Sequence, residues 1–179
     1  MISITKLLRV CGIASLSALS LTTYLNLPSY AQSTTFFCAV NKGVPVTYAR
    51  TPRGKIPMIR WVDNSFGGRW TPQQRCADVS QRFQRNYDNG TLKFITTGTL
   101  KGNRVVCAAT SQDDACTEKT LLFTLKRGTN ANNANRIVAN LLDSRGLAAG
   151  KVVNQSGCKD NNCPLYVNVD VYLSNITSE

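Results

Sequence analysis

The chain contains no histidine. That absence removes Ser–His and Cys–His nucleophile pairs, imidazole general bases and histidine zinc ligands together. It has no C-x-x-C pair, so the usual dithiol redox motif is missing. Acid is scarce: ten Asp and Glu stand against twenty-one Lys and Arg, a net charge of +11. Beyond residue 31 no apolar run reaches bilayer-spanning length, and neither an internal repeat nor a long low-complexity stretch occurs. An enzyme without histidine needs paired carboxylates, a lysine or a tyrosine. Asp63, Asp78 and Asp170 are scattered along the chain. The expectation is a non-catalytic protein without a cofactor.

What is present begins with an address. Lys6 and Arg9 precede an apolar run rich in Ser, Ala and Leu, from Val10 to Leu27. Pro28-Ser29-Tyr30-Ala31 then places small residues one and three positions before a cut after Ala31. This is the layout of a secretory signal peptide, expected over residues 1–31, with a single domain over 32–179. Ser17, Ser20, Thr22, Thr23 and Asn26 interrupt the run, which makes it a poor lasting membrane span. The mature chain is expected outside the cytoplasm, in the periplasm or beyond it, or resting on a membrane.

The positive charge is uneven. Setting Lys6 and Arg9 aside leaves nineteen basic residues against ten acidic ones. Residues 32–75 carry a net +6, while residues 76–179 carry only +3. A field of that sign draws anionic lipid or acidic polymer. Nucleic acid is not expected for an exported chain. The candidate binding residues are Arg50, Arg53, Lys55, Arg60, Arg69, Trp70 and Arg75, where aromatic contact can add to charge. Trp61 lies two residues after Ile59 in a strand-like run and is expected in the core. Trp70 follows Gly67-Gly68-Arg69 and is expected to be exposed.

Six cysteines remain after Cys11 leaves with the signal: Cys38, Cys76, Cys107, Cys116, Cys158 and Cys163. An even count in an exported chain predicts disulfides, among fifteen possible pairings. Cys107 ends one strand-like run and Cys116 precedes another, so these two can close a loop. Cys158 and Cys163 bracket a polar turn, which leaves Cys38 with Cys76. Asp113, Asp114 and Glu118 gather oxygen ligands, but without EF-hand spacing they predict no metal site.

Thr71, Pro72 and Gln74 open a helix with an N-cap, a first-turn proline and a capping box. Cys76, Val79, Phe83 and Tyr87 recur on one face, and Asn89-Gly90 closes it. Arg75 and Arg82 share a flank, with Asp78 spaced to pair with either. A second helix is expected over 130–146, with Ile137, Val138, Leu141 and Leu142 inward and Gly146 as its stop. Strands are expected around 34–40, 44–50, 58–63, 91–100, 103–110 and 119–127, with a loop over 51–57. The alternation in "PLYVNVDVYL" predicts a last strand over 164–173. The expected class is α+β: a mainly antiparallel sheet, two helices packed on one face, and disulfide staples.

Several blocks resemble the circadian oscillating protein domain family of cyanobacteria. They are "FFCAVNKGVPVTYART", "IRWVDNSF", "LLFTLKRG" and, most specifically, R-C-x-x-V-S-x-R-F at Arg75–Phe83. Cys38, Cys76, Cys107 and Cys116 fall at the family's cysteine positions, while Cys158 and Cys163 lie outside that pattern. The resemblance implies an exported or membrane-associated protein, named for rhythmic abundance, and supplies no catalytic residues. The leading expectation is an envelope- or membrane-surface domain binding acidic groups. A rigid protein-interaction or inhibitor domain, using the loop Thr51–Pro57, is the alternative, with a histidine-independent enzyme third.

Overall fold

The computed structural model describes residues 33–142 and 164–175. The expected signal segment, Gly146 and the Cys158–Cys163 pair lie outside the described residues.

The chain opens with a three-stranded meander: β1 (Thr35–Asn41), β2 (Val44–Thr51) and β3 (Gly54–Arg60). The β1–β2 turn is Lys42-Gly43, at φ 48° and 78°. That left-handed pair gives the twist a two-residue hairpin needs. The expected loop over 51–57 shrinks to Pro52-Arg53, because Gly54–Pro57 pair with β2. Pro57 is tolerated since β3 is an edge strand. Helix α1 (Pro72–Asp88) follows, then β4 (Phe94–Leu100) and β5 (Asn103–Ala109), joined by the same Lys-Gly turn at Lys101-Gly102. Next come β6 (Leu121–Thr124), α2 (Ala131–Leu141), β7 (Tyr166–Asn168) and α3 (Val169–Asn175).

The class is α+β with every ladder antiparallel, as expected. The strands, however, form two sheets: β1-β2-β3 and β6-β5-β4-β7. α1 packs on β1 and β2 and touches β6, while α2 packs on β4, β5 and β3. One core unites them, with Phe36, Ile56, Trp61, Val79, Phe83, Val106, Phe123 and Val138 all buried.

The last expected strand is corrected. Only Tyr166–Asn168 pair with β4, and the chain then turns into α3. The Asn168 side chain accepts from the Val171 N–H at 3.0 Å, which caps the new helix. Val169, Tyr172 and Leu173 are buried at i, i+3 and i+4, whereas Val171 is exposed. In so short a segment, alternate Val and Leu satisfy both a strand period and a helix period.

Two disulfides staple the described residues. Cys38–Cys76 ties β1 to α1, and Cys107–Cys116 closes the loop after β5. Such bonds indicate an oxidising compartment. Among the described residues no helix is long and apolar enough to cross a membrane.

Candidate binding groove

α1 sets the geometry. The Thr71 hydroxyl accepts from the Gln74 N–H at 3.2 Å, and Pro72 starts the helix where its missing N–H costs nothing. The Gln74 side chain makes no reciprocal bond to the Thr71 N–H, and its amide donates to Asp78 at 2.9 Å. With Cys76, Val79 and Phe83 turned inward, Arg75, Asp78 and Arg82 face the space beside β6. Asp78 therefore serves Gln74 and forms no ion pair with either arginine. The one ion pair among the described residues joins exposed Lys101 and Glu118.

A buried polar knot fixes Trp61. Its indole N–H donates to the Thr47 hydroxyl at 3.0 Å, and the Ser80 hydroxyl donates to that same oxygen at 3.0 Å. Phe123 meets the indole edge to face, with ring centres 5.5 Å apart. Three elements thus hold one ring still. The Arg75 guanidinium lies over this ring, 4.7 Å from its centre, and over Phe66 at 3.7 Å. Cation–π attraction of this kind is strongest where water is excluded. Burial pushes the Arg75 pKa below its ordinary value, with the charge of Asp63 opposing the shift. Asp63 itself is held below the usual carboxylate range by hydrogen bonds from Ser65, then by Lys126 and Arg75. No hydrogen-bond acceptor reaches the Arg75 guanidinium among the described residues.

These groups border a groove of about 620 Å³ between α1, β6 and the loop after β3. Arg75, Arg82, Lys126 and Arg127 line it as four cations, against Asp78 in the lining and Asp63 near enough to act on Arg75 and Lys126 through charge. Phe66 and Trp70 stand at the rim, and Val79, Leu121, Phe123 and Leu125 form the apolar floor. Arg82 also donates to the Leu122 carbonyl at 3.1 Å, so the free edge of β6 is partly capped by the same side chain.

The seven residues expected to bind do not form one surface. Arg75 and Trp70 line the groove, and Arg69 lies over Trp70 at 5.1 Å. Trp70 is exposed and Trp61 buried, as expected. Arg50 and Lys55 sit opposite each other on β2 and β3, on the sheet face turned away from α1. There Arg50 covers Phe37 at 4.9 Å and Lys55 covers Tyr48 at 4.5 Å. Arg53 occupies the β2–β3 turn and donates to the Leu173 carbonyl. Arg60 is exposed at the end of β3. Phe66, Arg82, Lys126 and Arg127 were not among the expected residues. Only Arg82 had a sequence signal, its place seven residues after Arg75 on the same helical flank.

In the acidic loop near Cys116, Asp114 is held by its own loop. The Asp114 carboxylate accepts from the Thr110 and Ser111 N–H groups at 2.7 and 3.0 Å, and from both hydroxyls. Among the described residues no group of three or more His, Cys, Asp and Glu could hold a metal.

The family model described as circadian oscillating protein COP23 matches residues 35–174. No curated protein and no solved structure matches the chain.

Proposed function

The chain belongs to the circadian oscillating protein COP23 family, and we propose that it is an exported, non-catalytic domain of the cell envelope that binds acidic groups. The groove between α1 and β6 is its site. One observation carries the reading: Arg75 is half-buried over two aromatic rings without a hydrogen-bonded anionic partner, in a groove holding three more cations. Placing a guanidinium there costs part of its hydration, which an incoming anionic acceptor can restore. The two disulfides support export. The net charge favours an anionic membrane surface or an acidic polymer over neutral partners. The loop contact considered for a protein-interaction domain narrows to the exposed Pro52-Arg53 turn, since Gly54–Pro57 pair with β2.

The test is co-sedimentation with phosphatidylglycerol vesicles, neutral vesicles and cross-linked dextran sulfate at rising salt. Binding to an anionic phase alone, falling with salt, is expected. The Lys126→Glu/Arg127→Glu variant should lose most of it and the Arg50→Glu/Lys55→Glu variant little. Equal, negligible binding to all three phases overturns the proposal.

A further inference from the structure

The groove is built for more than charge. Resting on the binding reading above, we propose that it takes a small amphipathic acid, a molecule with one anionic head and an apolar body. Its cations stand at two depths: Lys126 and Arg127 are exposed, and Arg75 and Arg82 half-buried. Its floor is Val79, Phe123 and Leu125, all buried side chains, with Leu121 beside them. A polyanion needs a track of charges open along its length and gains nothing from an apolar floor. A head with a body uses both parts. The volume, about 620 Å³, lies in the range of small-molecule sites.

The head is assigned to Arg75. Its position over Trp61 and Phe66 fixes the planar fork in advance, so little side-chain freedom is lost when a carboxylate arrives. Neither Asp78, whose carboxylate accepts from Gln74, nor Asp63, which acts on Arg75 through charge, forms an ion pair with it. Lys126 and Arg127 are contributed by the segment just after β6, opposite α1, so the head is met from two walls. The body then lies on Phe123 and Val79, with Trp70 at the mouth.

The probes are acetate, hexanoate and decanoate, with decanol as the uncharged control and dextran sulfate as the polymeric one. Binding to the full secreted chain is read by tryptophan fluorescence and calorimetry. Affinity should climb from acetate to decanoate, by up to about fourfold per methylene until the floor is covered. Decanol should bind at least about tenfold more weakly than decanoate. Arg75→Met should weaken decanoate by about tenfold or more and leave decanol unchanged. Because Arg75 is packed, the exposed pair Lys126→Ala/Arg127→Ala gives a second check in a fold left intact, with a loss of several-fold expected. Decanoate binding no better than acetate, while dextran sulfate still binds, overturns this inference and leaves the acidic-group reading standing. Decanol binding as well as decanoate also overturns it. Failure of every anion, polymer included, removes both.

Discussion

The Arg75 guanidinium carbon lies 3.7 Å from the centre of the Phe66 ring, and the same guanidinium covers Trp61. The two rings differ in how they are held. Trp61 is buried and hydrogen-bonded to Thr47, whereas Phe66 sits half-buried in the loop between β3 and α1. Phe66 is therefore the part that can be removed without opening the core. Phe66→Leu keeps apolar cover and deletes the ring's negative face. Stability should fall by about 1 kcal/mol, as for a partly desolvated cation–π contact. Phe66→Tyr should restore it. Urea unfolding measures both, and a Leu variant as stable as the parent would count against the contact.

Gly98 and Cys116 give a sharper steric prediction. A Cβ on Gly98 would lie 2.6 Å from the Cys116 sulfur and 3.1 Å from its Cβ. Gly98→Ala should cost about 1–3 kcal/mol by overpacking. In a Cys107→Ala/Cys116→Ala background the sulfur is gone and the penalty should shrink. A double-mutant cycle measures that coupling, and simple additivity would contradict the contact.

The two staples should differ in worth. Cys38 and Cys76 are 38 residues apart, Cys107 and Cys116 nine. Loop-closure entropy alone assigns about 4 kcal/mol to the first and about 2.5 kcal/mol to the second. Unfolding of the paired Cys→Ser variants checks the order. The reverse ranking would mean that native packing, not chain entropy, dominates.

Acid sensitivity has a located cause. Four hydrogen bonds, led by the one from the Thr110 hydroxyl, hold Asp114 far below its ordinary value of 3.8. A carboxyl depressed on folding stabilises the native loop at all pH above its unfolded value. That contribution fades as pH drops below about 4 toward the folded pKa. An NMR titration should find Asp114 still ionised well below its ordinary value of 3.8. Asp114→Asn should flatten the fall in stability over the same window. An ordinary titration of Asp114 would remove this explanation.

The sequence exposed some of this and hid the rest, for physical reasons. α1 was legible because Thr71, Pro72, the Cys76–Val79–Phe83 stripe and Asn89-Gly90 agree with one another. The opposite fates of Trp61 and Trp70 followed from strand alternation and glycine-rich flanks. The two described disulfides joined the cysteines expected to pair. α3 was hidden because seven residues cannot separate a period of two from one of 3.6, and the deciding signal was a single asparagine cap. The division into two sheets was hidden because local pattern does not say which strands become neighbours. The groove was half legible for the same reason. Arg75 and Arg82 share a helix, but Lys126 and Arg127 come from some fifty residues away and join them only through the packing of α1 beside β6.

The central claim is that anions meet this protein at Arg75 in the groove, not on its basic surface at large. The direct measurement is side-chain NMR of the arginine Nε–Hε groups during titration with decanoate and with dextran sulfate, at low and moderate salt. Arg75 is expected to shift first and to saturate with both anions, while Arg50 and Arg60 follow only weakly and lose their shifts as salt rises. Uniform shifts across all arginines, or Arg50 saturating before Arg75, would contradict it.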